Sequence, residues 1–258
     1  MNHLTVCLVA QNEQENLPRL LQSVQGVADE IVVVDGGSYD STQEVAREHG
    51  AKVFFRPFTN HADQKNYAAS LASHDWILLL DADEELSEEL KNSIGDWKTR
   101  EPQSAVYEMP RLTWYLGAWI HHSRWYPDYQ RRLYRRSKAA FSGVIHSAVR
   151  HDGAIGRLRG DLLHYTVRTF PEHEAKLEKY TTAIAKEMFE DGRRDWRAAM
   201  WLAAPWSWFH HFFLGAGFLD GSRGAVIARM AARGVWLKFK KLGVLVEAEK
   251  RVGNRGAL

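Results

Sequence analysis

The stretch WILLLDADEEL, residues 76–86, changes abruptly from apolar to acidic side chains. Its first half has the length and apolar character of a buried strand, whereas four of the five positions from Asp81 to Glu85 are carboxylic acids. Such a segment either delivers carboxylates to a cleft or simply surfaces at the acidic start of a helix. The neighbouring sequence decides between these two interpretations.

Apolar runs alternate with helix-like segments on the N-terminal side of this stretch. The runs are LTVCLV, EIVVVD, KVFF and WILLLD. Continuous apolar runs separated by helices are typical of a parallel sheet covered on both faces, and ligands bind such sheets beyond the carboxyl ends of the strands. These ends are all polar here: AQNEQEN, DGGSYDST, RPFTNH and DADEE. We therefore predict an α/β fold with a mostly parallel central sheet flanked by helices, and a ligand site at this edge.

The net charge of +2 over 258 residues conceals an asymmetry. Residues 193–258 contain 12 Lys and Arg against 4 Asp and Glu, so the remainder of the chain is acidic. The basic segment includes WLAAPWSWFHHFFLGAGFL, in which Pro205 and two His make a poor transmembrane helix. We predict a catalytic domain at 1–192 and a basic, aromatic-rich, helical extension at 193–258 that associates with membranes. The single cysteine, Cys7, excludes an internal disulfide and fits a reducing compartment.

The polar loops exclude two common classes of nucleotide-binding protein and suggest instead a site in which carboxylates bind a ligand and a divalent cation. AQNEQEN has no glycine, so the dinucleotide-binding fingerprint is missing, and no P-loop is present. Asp35, at the end of its strand, can accept hydrogen bonds from a ribose or a base N–H. Asp81 and Asp83 alternate along a predicted extended segment, so both carboxylates are expected to face one cleft and to need a divalent cation nearby. The alternative is a solvated helix cap.

Four segments occur in an order that resembles glycosyltransferase family 2: VCLVAQNEQENL, IVVVDGGSYDST, QKN and WILLLDADEEL. The resemblance covers roughly residues 4–98 and implies the GT-A fold. Further on, WYPDYQRRLYRRSKAAFSGVIHSAV and FLDGSRGAVIARMAARGVWLKFKKL are similar to a bacterial subgroup that builds lipopolysaccharide core, including its inner-core β-glucosyltransferases. The loop GGSYDS departs from the usual pattern at Tyr39 and Ser41, which leaves its backbone conformation open.

The resemblance implies a role for each polar strand end. Ala10, Asn12, Glu13 and Asp35 would hold the nucleoside, Lys65 would lie near the sugar diphosphate, Asp81 would contact ribose, sugar or metal-bound water, and Asp83 would bind Mg²⁺ or Mn²⁺. The ion would act as a Lewis acid on the departing nucleoside diphosphate. His146 is a candidate further metal ligand or acceptor contact, and His164 is a weaker one. For both, a simply hydrogen-bonded histidine is the alternative.

An inverting transfer also needs a base that takes the proton from the acceptor hydroxyl. Asp128 in YPDYQRRL is the candidate, because it is an isolated acid among aromatic and basic residues. The alternative is a structural acid paired with Arg131 or Arg132. Glu84 and Glu85 are the next candidates for the base.

These features favour an inverting glycosyltransferase that moves a sugar, with glucose as first candidate, from a UDP-sugar to a glycolipid acceptor such as lipopolysaccharide inner core. We expect residues 196–242 to dock on an anionic membrane surface, with the enzyme cytoplasmic and peripheral on the inner face of the cytoplasmic membrane. No nucleic-acid partner is expected, and a homo-oligomer stays open. The alternatives are a sugar-nucleotide pyrophosphorylase, whose Gly-rich first loop is missing, and a catalytically inactive membrane-associated scaffold.

Overall fold

The computed structural model describes residues 1–143 and 148–255, with side chains through residue 251. The strands are β1 Leu4–Ala10, β2 Glu30–Asp35, β3 Lys52–Phe55, β4 Trp76–Asp81, β5 Glu84–Leu86, β6 Val106–Tyr115, β7 Ala118–Ile120, β8 Asp128–Arg135, β9 Ala140–Ser142, β10 Ala148–Arg150, β11 Ile155–Arg157 and β12 Leu162–Val167. The α-helices are α1 Leu17–Ser23, α2 Thr42–Glu48, α3 His61–Ser70, α4 Glu88–Thr99, α5 Phe170–Glu190, α6 Trp196–Phe209 and α7 Gly221–Arg255. A π-helical turn spans His210–Leu214 and a 3₁₀ turn spans Gly217–Asp220.

Four parallel strands in the order β3-β2-β1-β4 form the centre of the sheet. Alternate residues of β1 belong to different cores: Val6 and Leu8 pack with α1, whereas Cys7 packs with Ala68 of α3. A strand that is buried on both faces reads as a continuous apolar run, as LTVCLV does. The predicted α/β architecture with a helix-covered parallel sheet is confirmed.

The sheet becomes antiparallel beyond β4. β8 pairs antiparallel with β4, β6 pairs antiparallel with β8, and β12 and β5 complete the order. β7 and β11 pair with β6, and β9 and β10 form a separate two-stranded sheet. The strands expected in AVYEMPRLTWYL and YQRRLYRR are therefore present as β6 and β8. Their antiparallel pairing places the start of β8 beside the middle of β6, where Asp128 lies opposite Arg111.

The chain divides into two compact units. The first contains residues 1–112 and 127–165, and the second contains residues 113–126 and 166–258. This division differs from the boundary predicted at residue 192, because helix α5 contributes its apolar face to the second unit. Ala185 of α5 is buried in one cluster with Met200 of α6 and with Phe239 and Leu242 of α7.

The second unit has a further small core that joins its separate chain segments. Tyr115 and Ile120 are buried together with Val167 and with Ile227 of α7. Over the described ranges 1–143 and 148–255, no helix has the combination of length and apolar character that crossing a membrane requires.

Candidate active site

The carboxyl ends of β1, β2 and β4 bring polar residues into one row. Ala10 pairs with Asp35, and Val9 pairs with Asp81, so the two acids lie at the same level on either side of β1. The clustering expected from the polar strand ends therefore occurs in the first unit. What each carboxylate contacts was not visible in the local sequence pattern.

Asp35 is completely buried and its carboxylate shapes the loop that follows β2. Oδ2 accepts hydrogen bonds from the backbone N–H of Gly37 and Ser38, each at 3.0 Å, and from Nε2 of Gln43 at 2.9 Å. The Ser38 hydroxyl donates to Oδ1. The donors of its own loop and of α2 therefore enclose the Asp35 carboxylate, and its contact with a nucleoside stays a prediction.

The first two polar loops bind each other. Asn12, with a positive φ of 59°, donates its backbone N–H to Ser38 Oγ at 2.8 Å, and its side-chain oxygen accepts the backbone N–H of Tyr39 at 3.0 Å. Glu13 donates its backbone N–H to Oγ1 of Thr42 at 2.8 Å. Asn tolerates the left-handed conformation better than most residues, which explains how AQNEQEN makes a tight loop without glycine.

Asp81 is held between two buried cations. Lys65 Nζ lies 2.7 Å from Oδ1, and Arg132 Nη2 lies 2.5 Å from Oδ2. Arg132 also reaches Oε1 of Glu84 at 2.6 Å, and the Glu84 side chain is completely buried. We call Lys65, Asp81, Glu84 and Arg132 the ion cluster. Sequence analysis placed Lys65 near a diphosphate and did not foresee that its ammonium group binds Asp81.

Burial and charge act in opposite directions on the pKa values of the ion cluster. Burial alone would raise the pKa of Asp81, but the charges of Arg132 and Lys65 outweigh it and hold this pKa far below its usual range. Burial and the charge of Arg132 lower the pKa of Lys65, against the attraction of Asp81. Two cations and two carboxylates thus compensate each other where single buried charges would be costly.

Asp83 points to a different partner from Asp81. Its Oδ2 lies 3.2 Å from Nε2 of His164, and its backbone carbonyl accepts the N–H of Tyr165 at 2.9 Å. The alternation expected from an extended chain is wrong here, because the backbone turns at Ala82 and Asp83 between β4 and β5. β5 then pairs with β12 in a register that sets His164 opposite Glu84. His164, the weaker histidine candidate, is thereby the one found beside Asp83.

The oxygen and nitrogen donors of Asp83 and His164 are of the types that bind divalent ions. Two neighbouring ligands of an octahedral ion with bonds near 2.1 Å lie about 3 Å apart, close to the observed 3.2 Å. Nδ1 of His164 is buried without a hydrogen-bond partner. Within residues 1–143 and 148–255, three or more His, Cys, Asp or Glu side chains do not gather into a metal site. The remaining ligands would come from water and diphosphate oxygens. His146, the other metal candidate, lies outside the described residues.

Asp128 forms an ion pair with an arginine, as expected for the alternative of a structural acid. The partner is Arg111, however, and not Arg131 or Arg132. Nε and Nη2 of Arg111 lie 3.0 and 2.6 Å from Oδ2, and Nε2 of Gln130 donates to Oδ1 at 2.8 Å. The Asp128 side chain is 38% exposed. The role of base stays a prediction. Glu85, a reserve candidate, accepts a hydrogen bond from the Tyr165 hydroxyl at 3.0 Å.

Comparison with known proteins identifies the family. The model of glycosyl transferase family 2 matches residues 5–162. The chain belongs to this family. The match includes every described candidate site residue from Ala10 to Asp128, so the enzyme is a glycosyltransferase, and the family prediction is confirmed.

Relatives resemble the chain over most of its length. An uncharacterized glycosyltransferase of Rickettsia typhi is 29% identical over 257 residues, covering 94% of this chain and 87% of the relative. The lipopolysaccharide core biosynthesis glycosyltransferase LpsC of Rhizobium meliloti is 25% identical over 248 residues, covering 90% and 92%. The crystal structure of S. aureus TarS 1–349 in complex with UDP-GlcNAc has a TM-score of 0.50 and 15% identity, covering 96% of this chain and 92% of that chain. The last likeness concerns the fold alone and agrees with the predicted GT-A type.

Proposed function

We propose that this glycosyltransferase is an inverting enzyme that moves a sugar, with glucose as first candidate, from a UDP-sugar to a glycolipid acceptor such as lipopolysaccharide inner core. The observation that carries the proposal is the contact between Asp83 and His164 beside the ion cluster, at the carboxyl ends of parallel strands. The similarity to LpsC, a lipopolysaccharide core biosynthesis glycosyltransferase, supports the class of acceptor.

Asp83 and His164 would hold Mg²⁺ or Mn²⁺ in this proposal. The bound ion supplies positive charge that offsets the negative charge developing on the departing diphosphate. Lys65 and Arg132 keep Asp81 ionised and fixed, so that its carboxylate can orient the donor through ribose or sugar hydroxyls. The loops of Asn12 and Asp35 flank the same strand ends and provide backbone and side-chain groups for the nucleoside.

Asp128 would take the proton from the acceptor hydroxyl. Arg111 donates two hydrogen bonds to Oδ2 and Gln130 donates one to Oδ1, which together set the orientation of the carboxylate. Oδ1 has a second lone pair that an acceptor hydroxyl could approach. A positioned base contributes roughly 10²–10⁴-fold to the rate of such a step. Asp128→Asn should therefore preserve UDP affinity and nearly abolish transfer, and normal transfer by this variant would move the role to another acid.

The metal proposal is tested by release of UDP from a panel of UDP-sugars with Mn²⁺. Asp83→Asn should lower turnover by orders of magnitude, whereas Asp96→Asn, which changes an exposed acid on α4, should not. Binding of Mn²⁺ in the presence of UDP, followed by electron paramagnetic resonance, should weaken in both Asp83→Asn and His164→Ala. Full turnover in excess chelator, or unchanged Mn²⁺ binding in both variants, contradicts the proposal. Nucleotide binding without any turnover would instead support the inactive scaffold.

We place the enzyme, as part of the same proposal, in the cytoplasm and peripheral on the inner face of the cytoplasmic membrane. A lipid-linked acceptor presents its hydroxyl at that surface, and an anionic membrane would then be a partner of the chain. The basic composition of residues 193–258 supports this location.

A further inference from the structure

The outward side of α6 and the π-helical turn is apolar. Trp201 is 70% exposed, Leu202 73% and Trp206 59%, and Phe209, Phe213 and Leu214 are also exposed. We call these six residues the aromatic face. Soluble proteins expose large apolar side chains singly, and a contiguous group of them marks an interaction site.

The aromatic face follows helical spacing and is not needed for the core of the second unit. Trp201 and Pro205, and likewise Leu202 and Trp206, are four residues apart and so lie on one side of α6. The opposite side carries Met200 and Ala204, which are buried against the rest of the unit. The helix therefore packs through Met200 and Ala204 and turns Trp201 and Trp206 to solvent.

The absence of acidic residues along the aromatic face favours a lipid surface over a protein partner that would bind through ion pairs of both signs. Residues 196–219 contain no Asp or Glu, and their ionisable side chains are Arg197, which lies 3.5 Å from Glu247 of α7, and His210 and His211. Trp and Phe beside basic residues are typical of helices that lie in the headgroup layer of a membrane. The 14 residues of α6 span only about 21 Å, so the helix would lie in the membrane plane.

Two basic residues of α7, within the range expected to bind lipid, are engaged inside the second unit. Arg233 forms an ion pair with Glu174 at 2.6 Å. Lys241 binds Glu178 and also donates to Thr181 and Thr182 at 2.9 and 2.8 Å. These two side chains fasten α7 to α5, and docking of residues 196–242 on an anionic surface stays a prediction.

We propose that the aromatic face inserts into the headgroup layer of a phospholipid bilayer and holds the enzyme there chiefly by burial of its rings. The inference rests on the proposed function in one respect, because a lipid-linked acceptor gives such docking a purpose. Because the proposed binding relies on apolar burial, and because Arg233 and Lys241 are engaged within the unit, it should depend only weakly on salt, by less than about threefold between low and high ionic strength.

Vesicle flotation of the full chain tests the surface directly. Vesicles of mixed zwitterionic and anionic phospholipids should carry the wild-type protein to the top of the gradient. The double variant Trp206→Ser/Phe209→Ser should have a vesicle partition coefficient at least roughly tenfold lower. The matched control is Val244→Ser, which removes an apolar side chain that is 62% exposed on α7. Flotation of the double variant at the wild-type level, loss of flotation in the control, or a wild-type chain that stays at the bottom would overturn the proposal.

A site-specific label reports which residues enter the bilayer. The only cysteine, Cys7, is completely buried, so an environment-sensitive dye can be attached selectively at Leu202→Cys or at the control Val244→Cys. Vesicles should shift the emission to the blue and expose the dye to lipid-borne quenchers only at position 202. A blue shift at position 202 in buffer alone, with a dimer in sedimentation that Trp206→Ser dissolves, would assign the face to self-association instead.

Donor hydrolysis separates the failure of this inference from the failure of the proposed function. The double variant should release UDP in lipid-free buffer at the wild-type rate, because its changes lie on an exposed face of the second unit. A chain that inserts through the aromatic face but hydrolyses no nucleotide sugar would contradict the proposed function alone. A chain that hydrolyses a donor but ignores vesicles would contradict the inference alone.

Discussion

The two units of this glycosyltransferase place their unusual side chains in opposite environments. The first unit buries ionised groups: Arg132 is 4% exposed and Glu84 is fully buried. The second unit exposes rings that ordinarily form a core, with Trp201 and Trp206 on the outside of α6. Arg132 and Glu84 pair with each other at 2.6 Å, so these two buried charges compensate each other within the fold. The rings on the outside of α6 are exposed to solvent, and a contiguous apolar surface of this kind indicates a binding partner.

The largest expected effect comes from removing the cation that pairs with Asp81 and Glu84. Arg132→Met should leave Asp81 and Glu84 without their shared cation and lower the free energy of unfolding by about 3–5 kcal/mol. Urea denaturation at neutral pH measures this loss. Arg100→Met is the control, because it removes an ion pair with Asp96 in which the two side chains are 75% and 72% exposed, and it should cost well under 1 kcal/mol. Equal losses in the two variants would show that burial adds nothing to the ion cluster.

Asp220 offers a smaller test in the second unit, because the side chain of this acid is only 4% exposed. Its carboxylate accepts a hydrogen bond from Ser123 Oγ at 2.6 Å and from the backbone N–H of His121 at 3.2 Å, and it contacts Nδ1 of His122 at 3.2 Å. Asp220→Ala should lower the unfolding free energy by about 1–3 kcal/mol, because buried donors lose their acceptor. Asp195→Ala, at an acid that is 70% exposed, should change it by less than about 0.5 kcal/mol. A loss of stability in Asp195→Ala but not in Asp220→Ala would contradict the expectation that the buried acid matters more.

The ionisation of Glu30 should make the stability of the first unit depend on pH. Burial would raise its pKa, but hydrogen bonds from Lys52, Ser73 and Thr5 prevail and lower it from 4.5 to about 2. A depressed carboxyl pKa stabilises the fold above the unfolded value and loses this contribution as the pH falls from about 4.5 towards 2. The contribution should be on the order of 1 kcal/mol after screening by water.

Denaturation of Glu30→Gln across acidic pH measures that contribution. The variant should be less stable than the wild type at pH 7, and the difference should shrink as the pH falls through this range. A constant difference at every pH would show that the Glu30 network is not ionic.

The smallest expected effect concerns the exposed rings. Trp201→Ser removes a side chain that is 70% exposed, so the unfolding free energy should change by no more than about 0.5 kcal/mol. Met200→Ser, at the adjacent buried position, is the matched variant and should be clearly destabilising, because it puts a polar group and a cavity into the core. A large loss in Trp201→Ser would show that this ring supports the fold, and the contrast between the units would disappear.

The sequence by itself determined the sheet and the edge at which the site lies. Apolar runs such as LTVCLV and EIVVVD can be read locally, because a strand buried on both faces needs an uninterrupted apolar run. The acids Asp35 and Asp81 follow such runs directly, and strand ends of a parallel sheet meet at one edge. The order of these motifs also indicated the family, which the match over residues 5–162 confirmed.

Only the tertiary structure decided which charges pair. Arg132 reaches Asp81 across a sequence separation of 51 residues, and His164 meets Asp83 because β5 pairs with β12 in one particular register. Local periodicity carries no information about such distant partners. The same limit applies to α6, whose two sides are both apolar. The pattern alone could not show that Met200 would be buried and Trp201 exposed, because that choice depends on how closely α5 and α7 pack against the helix.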